Sequence, residues 1–467
     1  MSFVSGRIRV TIDSFFKIKE RGSSIRTEML GGLTTFLTMA YIIVVNPAIL
    51  SFAGIPQAPS TVATILTAVF GCWLMAFFAN RPLAVAPYMG ENAFIAFGLT
   101  ALGISWQQRL GAVFVSGIAF ALLALWRIRP WLANSISASM KYSFGAGIGL
   151  FMALIGLYET GIVTSGATGL PAAALLVPAT NLLRAPDVPL KIGNLHEPTV
   201  LLAIGGFVLI VVLQHKKVKG AMLIGIVATA VVGSLLGFGQ APHAVVALPF
   251  VGQYSIDPIF LKLDIAGVLK LSFIPILLTL FLMSFLDTLG TLVGVGAAGG
   301  MLDEAGNFVN VERPMIVDAL SCIFSSVVGS STSGAFIESA AGIREGARTG
   351  FASVITGALF AASIFFIPLF EPMQHLSYAY APALMAVGLL MADSIRKIDT
   401  DDLTECAPAF ATIAIMVFTY NIANGLTAGI LFYALLKLLT GRYKELNSGA
   451  IVLALMCLIY FLFGLPH

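Results

Sequence analysis

Charged side chains are scarce in this chain. Lys, Arg, Asp and Glu together make up 10% of the 467 residues, whereas hydrophobic residues make up 58%. A typical soluble domain carries about 25% charged residues, so this composition excludes an ordinary soluble protein and predicts an integral membrane protein. The net charge of +3 is small, and the basic residues lie in short clusters between apolar segments. Such clusters are typical of helix ends at a membrane surface, and we expect no nucleic-acid partner.

Cysteine and histidine are also few, with 4 and 5 residues. The cysteines lie within apolar segments at spacings that match neither a zinc site nor a disulfide framework. The histidines lie in predicted loops or at the last residue, so we expect no proton relay through imidazole groups. With no metal cluster and no pairing of a nucleophile with a histidine, the sequence predicts neither an enzyme nor a bound cofactor. These residues are Cys72, Cys322, Cys406, Cys457, His196, His215, His243, His375 and His467.

The chain does contain a series of long apolar segments. Fourteen of them are long enough to cross a bilayer or half of it, since a spanning helix needs about 20 apolar residues. A further apolar run at 450–463 is short, and both an interfacial helix and a fifteenth span stay open for it. The sequence therefore predicts an all-α polytopic membrane protein. The predicted spans are 28–47, 59–79, 83–99, 109–126, 140–159, 198–214, 219–238, 267–298, 314–329, 332–344, 348–369, 378–393, 404–421 and 423–440.

The basic residues predict the orientation in the membrane. If the N-terminus is cytoplasmic, all but five of the 26 Lys and Arg fall on the inner side or in the last helical turns facing it. An excess of Lys and Arg on the cytoplasmic side is the usual arrangement. We therefore expect residues 1–27 to be a cytoplasmic segment of a multi-pass protein in the plasma (inner) membrane. The five exceptions are Arg109, Arg184, Lys191, Lys262 and Lys270.

Two of the predicted spans do not have the sequence of an ordinary membrane helix. Span 3 begins with RPLAVAPYMGENAF (81–94) and span 10 with GSSTSG (329–334), and each is the third span in its group of seven. Non-helical backbone persists at that depth only where protein or a water-filled cavity surrounds it. Paired interrupted segments at matching positions point to a central site in an inverted-repeat transporter. We therefore predict a 7+7 inverted repeat in which a short extended segment precedes a half-helix in spans 3 and 10.

Two carboxyl groups lie in otherwise apolar sequence, Asp287 in SFLDTLGTLVGVG and Glu338 in GSSTSGAFIESAAG. An acidic residue costs several kcal/mol in hydrocarbon, so residues of this kind usually bind a solute or carry a proton. A purely structural role as hydrogen-bond partners within the bundle stays open. Thr291 follows Asp287 by four residues and shares its face of the helix. The pattern predicts a solute carrier with its site at these residues.

Six runs in one order carry a family resemblance that extends from about residue 20 to residue 442. They are GGLTTFLTMAYIIVVNP (31–47), DTLGTLVGVG (287–296), MLDEAGN (301–307), IESAAGIREGARTG (337–350), APALMAVGLLM (381–391) and YNIANGLTAGILFYALLKLLTGR (420–442). In these runs the chain resembles the AzgA-type purine permeases, which are the adenine/guanine/hypoxanthine branch of the nucleobase/cation symporter-2 family.

The resemblance implies a division into a core domain and a gate domain, with the nucleobase held between them and a proton as the coupling ion. By position in the repeat, the core would comprise 28–130 and 241–370. The gate would comprise 131–240 and 371–467. A homodimer through the gate domain is implied in the same way.

The resemblance also implies which residues form the site. Asp287 and Glu338 fall on the acidic positions of the family in spans 8 and 10, and the other contacts lie at the two half-helix starts. Capping of a half-helix is the alternative for Asn92, Thr332 and Ser333, and core packing is the alternative for Phe336. Thr291 is added because it shares a helix face with Asp287. The implied substrate contacts are Asn92, Ala93, Asp287, Thr332, Ser333, Phe336 and Glu338.

Span 3 departs from the family pattern. Where AzgA-type members typically read PGMGxNA, residues 87–93 of this chain read PYMGENA. Tyr88 replaces a glycine, and Glu91 adds a third carboxyl that could titrate with Asp287 and Glu338. The departure bears on substrate preference and on proton coupling. A position of Glu91 in cytosolic water or against a neighbouring helix is the alternative.

These features predict proton-coupled uptake of a purine nucleobase. A purine is flat and edged with hydrogen-bond donors and acceptors, which suits a carboxyl group that binds it in one plane. We expect Glu338 to hold the ring, and Asp287 to carry the coupling proton or to bridge to the hydrogen-bond donors of the half-helices. A permease for uracil, xanthine or another nucleobase-like ring is the nearest alternative. An anion transporter of the same 7+7 architecture is less compatible with two facing carboxyl groups and no basic residue.

Overall fold

The structure is a computed structural model, and it describes residues 12–125, 135–166, 190–302, 308–459 and 461–462. Within these ranges the chain is almost entirely helical, with two short two-stranded sheets. Among the described residues, nine helical stretches, some made of adjoining helices, are long and apolar enough to cross a membrane, judged by length and composition, and three further apolar helices are shorter. Arg184, the predicted boundary at 130–131 and residues 303–307 of the MLDEAGN run lie outside the described residues.

Each predicted span of the first half corresponds to an element of the structure. Span 1 is divided into two helices, span 3 consists of a strand and short helices, and the other five spans are single helices. Helix α3 is extended by a π-helical turn, Met75–Ala79, and a second π-helical turn, Phe94–Gly98, joins α4 to α5. The elements are α1 (Ile25–Met39), α2 (Ile42–Phe52), α3 (Gln57–Leu74), β1 (Val85–Pro87), α4 (Met89–Ala93), α5 (Leu99–Ala101), α6 (Trp106–Leu125), α7 (Ala138–Glu159), β2 (Val163–Ser165), β3 (Leu190–Ile192), α8 (Pro198–His215) and α9 (Ala221–Leu235).

The second half follows the same order. Span 8 is the long helix α11, span 10 is a strand followed by a short helix, and span 11 is α14 continued through a 3-10 turn into α15. The elements are α10 (Ile265–Val268), α11 (Ile274–Gly299), α12 (Glu312–Val328), β4 (Ser333–Ala335), α13 (Ser339–Arg344), α14 (Gly350–Ser363), α15 (Ile367–Gln374), α16 (Ser377–Ala392), α17 (Leu403–Phe418), α18 (Ile422–Leu439) and α19 (Ser448–Ile459).

The two interrupted spans meet through their backbones. Strand β1 pairs antiparallel with β4, and the register places Val85 opposite Ala335 and Pro87 opposite Ser333. All residues of both strands are buried. Extended backbone at this depth needs partners from the protein itself, and each strand supplies them to the other. This pairing joins span 3 to span 10, two segments that lie seven spans apart.

A second pair of segments seven spans apart, α7 and α16, also meets closely. A Cβ atom on Gly149 would lie 2.9 Å from the carbonyl oxygen of Gly388, and one on Gly388 would lie 2.4 Å from the carbonyl oxygen of Gly149. Small residues allow two membrane helices to approach backbone to backbone. The glycines therefore set the distance between spans 5 and 12, the counterparts of each other in a 7+7 repeat.

Span 1 is divided into two helices, and Ala40 and Tyr41 form the joint between α1 and α2. Further along, Pro47 lies inside α2 and lacks the N–H that would bond the carbonyl of Ile43. The side-chain nitrogen Nε2 of Gln374 donates to that carbonyl instead, at 2.9 Å. The single predicted span is thus two helices.

The helices pack in two groups. In the first, α12 packs against α6 and α3, α14 packs against α1 and α3, and α11 packs against α6. In the second, α7 packs against α16 and α17, α8 packs against α16, and α17 packs against α18. Helix α19, the short apolar run whose fate was open, packs against α18 and also contacts α11. The predicted domain boundaries remain predictions.

One end of the second group carries a cluster of ion pairs. The ammonium of Lys437, fully buried at the end of α18, lies 2.9 Å from Glu405 and 2.8 Å from Glu445. Asp402 caps α17, and hydrogen bonds from Thr404 and Arg442 lower the pKa of its carboxyl to about 2. The cluster joins the start of α17 to the end of α18.

We expect Gly388→Ala to destabilise the protein, because the added Cβ would collide with the backbone of Gly149 and force α7 and α16 apart. Overpacking of this kind costs about 1–3 kcal/mol, which would appear as a lower unfolding temperature of the detergent-purified protein. The control is Gly205→Ala on α8, where no atom lies within 4 Å of the added Cβ. Equal unfolding temperatures for the two variants would contradict the close approach.

Candidate substrate site between the half-helices

The strand pairing brings the two half-helices together. Beyond the strands, the backbone N–H of Tyr88 donates to the carbonyl of Thr332 at 3.0 Å, and that of Phe336 donates to the carbonyl of Ala84 at 2.9 Å. The residues that follow each strand are therefore fixed relative to the opposite strand. Asn92 on α4 and Glu338, which directly precedes α13, are placed by this ladder.

Glu338 and Asp287 lie near each other, as the sequence predicted. Both are half-buried, and the two carboxyl groups interact electrostatically. The hydroxyl of Tyr41, at the joint between α1 and α2, donates to Oε1 of Glu338 at 3.0 Å. Tyr41 was not predicted, because an aromatic residue in an apolar span has no polar pattern around it.

Exposed positions flank these two carboxyl groups. Gly290 follows Asp287 by three residues on α11, is exposed, and has nothing within 4 Å of the position of a Cβ. Ile337, next to Glu338, is 56% exposed. Thr291 is buried one turn beyond Asp287.

Glu91 is fully buried on α4 and does not face water. The hydroxyl of Ser284 on α11 donates to its Oε2 at 2.8 Å, while its Oε1 has no partner among the described residues. The hydroxyl of Thr332 interacts with Glu91 but does not meet hydrogen-bond geometry. Asp287 also acts on Glu91 electrostatically. Glu91 is thus a third carboxyl near Asp287, bonded to the neighbouring helix α11, and the position in cytosolic water considered for it is wrong.

A fourth carboxyl, Asp318 on α12, was missed by the sequence analysis. Its Oδ2 accepts from the hydroxyl of Thr288 at 2.9 Å, from the backbone N–H of Ala335 at 3.0 Å and from the hydroxyl of Tyr88 at 3.5 Å. It therefore connects α11, α12 and both interrupted spans. The signal was available, because Asp318 is an acidic residue inside predicted span 9.

Asn92 is engaged with the protein. Its amide nitrogen donates to Oδ1 of Asn46 on α2, and its Oδ1 accepts from the hydroxyl of Ser331. Asn46 in turn donates to Thr64 on α3 at 2.7 Å. Asn92 is fully buried, as is its neighbour Ala93. The network ties α4 to α2, α3 and the segment before β4.

Tyr88 and Phe336 lie face to face across the two strands. Their ring planes differ by 9°, and their centroids are 6.3 Å apart. A Cβ on Gly334 would lie 2.1 Å from the hydroxyl oxygen of Tyr88, so the glycine leaves room for this side chain. The tyrosine that departs from the family pattern therefore lies beside β4, within the site.

Several buried oxygens of the site lack hydrogen-bond partners among the described residues. They belong to Glu91, Asp318, Ser321, Thr332 and Ser333, on the two interrupted spans and α12. No basic side chain in the described part of the chain pairs with any of the four carboxyl groups. In the same ranges, no group of three or more His, Cys, Asp and Glu residues could hold a metal ion. The site is acidic, polar and enclosed by apolar helices.

Solved structures share this fold. The transmembrane domain of the cyanobacterial bicarbonate transporter BicA superimposes with a TM-score of 0.62 at 14% sequence identity, covering 85% of this chain and 97% of that domain. That domain has the 7+7 inverted-repeat architecture, and the predicted fold class is confirmed.

The family follows from the sequence comparisons. The model of the Permease family named Xan_ur_permease matches residues 26–428, and the chain belongs to this family. It is 36% identical to the adenine permease AdeP of Escherichia coli, over 98% of this chain and 97% of AdeP. It is 35% identical to the guanine/hypoxanthine permease PbuG of Bacillus subtilis, over 96% of this chain and 99% of PbuG. The resemblance to AzgA-type permeases is confirmed, and so is the prediction that the protein is not an enzyme.

We expect Asp318→Ala to destabilise the protein more than Asp318→Asn. The asparagine retains an oxygen for the N–H of Ala335 and the hydroxyls of Thr288 and Tyr88, whereas alanine leaves these buried donors without their acceptor. Each unsatisfied buried donor costs about 1–3 kcal/mol, and the unfolding temperatures of the purified variants measure the difference. Equal losses for the two variants would show that Asp318 does not organise these donors.

Proposed function

We propose that the protein imports purine nucleobases (adenine, guanine and hypoxanthine) together with protons across the plasma membrane, with its N-terminus in the cytoplasm. The observation that carries the proposal is the Asp287 and Glu338 pair beside two joined half-helices, with no basic partner in the part of the chain that the structure describes. Carboxyl groups in this setting usually bind a solute or carry a proton. The names of AdeP and PbuG support the purine as the substrate class.

The base is held chiefly by Glu338. One carboxyl group can accept or donate hydrogen bonds in the plane of the ring, and Tyr41 already occupies one of its oxygens. Phe336, two residues earlier, supplies an aromatic surface for stacking. The hydroxyls of Thr332 and Ser333, which lack partners among the described residues, are available to a ligand. Asn92 acts indirectly, since both ends of its amide are bonded to the protein.

The coupling proton is carried by Asp287 and Glu338, with Glu91 behind them. Two carboxylates at short range repel each other, and a single proton shared by the pair removes that repulsion. Glu91 interacts with Asp287, so the proton affinity of one group depends on the charge of the other. Loading a proton from outside therefore prepares the site for a neutral base, and losing it inside favours release.

Alternating access arises from movement of the core domain (28–130 and 241–370) against the gate domain (131–240 and 371–467). Helix α4 meets α7 at Gly90, where a Cβ would lie 2.3 Å from Cγ2 of Ile148. A half-helix with no side chain at its closest contact can slide along its neighbour with few steric barriers. The gate domain also supplies the surface for the predicted homodimer.

A permease for xanthine or uracil is the second candidate, because the matching family model carries those two names. Tyr88 bears on this choice, since its ring occupies space beside Gly334 that a smaller residue would leave to the ligand. An anion substrate is disfavoured by four carboxyl groups without a basic partner, although the fold is shared with a bicarbonate transporter.

Uptake of radiolabelled adenine, guanine, hypoxanthine and uracil into cells that lack their own nucleobase carriers tests the proposal. We expect one or more purines to accumulate faster at acid than at alkaline pH, because protonation of the site precedes binding. An uncoupler should abolish accumulation. No uptake of any of the four bases, with the protein present at the cell surface, would refute the proposed substrate class.

In the same assay we expect Glu338→Gln to abolish accumulation. The amide cannot take up and release a proton as a carboxyl group does, and only one of its two terminal atoms accepts a hydrogen bond. The control is Glu20→Gln, which removes an exposed carboxyl paired with Lys17 outside the site. It should leave uptake unchanged. Normal uptake by Glu338→Gln at equal surface expression would remove Glu338 from the mechanism.

A further inference from the structure

Tyr41 lies at an unusual place in the fold. It stands at the joint where span 1 breaks into α1 and α2, and its side chain is only 1% exposed. Its hydroxyl donates to Oε1 of Glu338, 297 positions later in the chain, at 3.0 Å. Glu338 itself directly precedes the short helix α13. One hydrogen bond thus links the break in span 1 to the start of the half-helix in span 10.

A phenylalanine at position 41 would fill the same space as the ring of Tyr41, so packing alone does not require the hydroxyl. A buried hydroxyl group costs free energy unless it finds a partner, and the oxygen of Glu338 is the partner that this one finds. The break in the helix contributes, because it places residue 41 between two helical segments rather than within one continuous helix. The hydrogen bond to Glu338 therefore accounts for the presence of a buried hydroxyl group at residue 41.

The side chain of Glu338 has rotational freedom that a hydrogen bond from Tyr41 would remove. A glutamate side chain rotates about several bonds, and Glu338 is half-buried. The hydrogen bond from Tyr41 holds one of its two carboxyl oxygens, Oε1, in place.

We infer that Tyr41 is a positioning residue for substrate binding. It fixes Oε1 of Glu338 so that Oε2 is presented to the base, and it does not touch the base itself. The effect of Tyr41 on substrate binding rests on the proposed function, but the contact between Tyr41 and Glu338 can be tested without any substrate.

Binding of adenine, guanine and hypoxanthine to the purified protein tests the consequence. We expect Tyr41→Phe to weaken binding of the transported base about tenfold, the effect of losing one hydrogen bond to a charged group. The matched control is Tyr378→Phe, which removes the hydroxyl of another buried tyrosine outside the site. That hydroxyl donates to the carbonyl of Phe238 at a distance of 3.3 Å. It should bind the base like the wild type.

A double-mutant cycle separates positioning from a general structural effect. In a Glu338→Asp background, whose shorter side chain withdraws the acceptor oxygen from Tyr41, Tyr41→Phe should weaken binding little further. An equal loss in both backgrounds, or normal binding by Tyr41→Phe, would overturn the inference.

The same cycle on unfolding temperature without ligand tests the contact alone. For this cycle Glu338→Ala is used, because alanine leaves no oxygen to accept from Tyr41. Non-additive losses for Tyr41→Phe and Glu338→Ala are expected, and additive losses would overturn the contact. If the wild type binds none of the three bases, the proposed function fails while this cycle still decides whether Tyr41 holds Glu338.

Discussion

The antiparallel pairing of β1 with β4 is the constraint on which the rest of the site depends. Both strands interrupt helices inside the membrane-spanning part of the chain, where a backbone N–H or C=O without a partner costs several kcal/mol. Each strand satisfies the other in a fixed register. The register continues through Tyr88 and Phe336 on either side, so it sets the relative positions of the two half-helices that follow. Neither half of the chain could form this site alone.

The electrostatics of the site follow from that arrangement. Four carboxyl groups (Glu91, Asp287, Asp318 and Glu338) lie together, and hydroxyl groups and one backbone N–H serve as the donors to three of them. A salt bridge to Lys or Arg would hold a carboxylate charged in every state, as happens at Asp402 with Arg442. Hydroxyl donors can serve either a charged or a neutral carboxyl. The site can therefore change its protonation without losing its structure.

Much of the fold could be predicted from the sequence because hydrophobic segments of membrane length leave a strong signal. The prolines at 82 and 87 and the serine-rich run before β4 also marked the two interrupted spans correctly. Asp287 and Glu338 were found by their charge in apolar surroundings. Asp318 meets the same criterion, as an acidic residue inside predicted span 9, and was not predicted.

Other parts of the site had no local signal. The contact of Tyr41 with Glu338 joins residues 297 positions apart, and the partner of Asn92 is an asparagine on α2. The carbonyl of Ile43, which Pro47 leaves without a partner, is satisfied by Gln374 from the other half of the chain. Each of these contacts exists only once the two halves have come together, so no pattern within one segment could predict it.

Proton movement during transport is the most direct test of the central claim that a purine enters with a proton through the Asp287 and Glu338 pair. The purified protein would be reconstituted into vesicles that contain a pH-sensitive dye, with potassium and valinomycin holding the membrane potential at zero. The account predicts that adding a transported purine outside acidifies the lumen as the base enters. Entry of the base with no change in internal pH would contradict it.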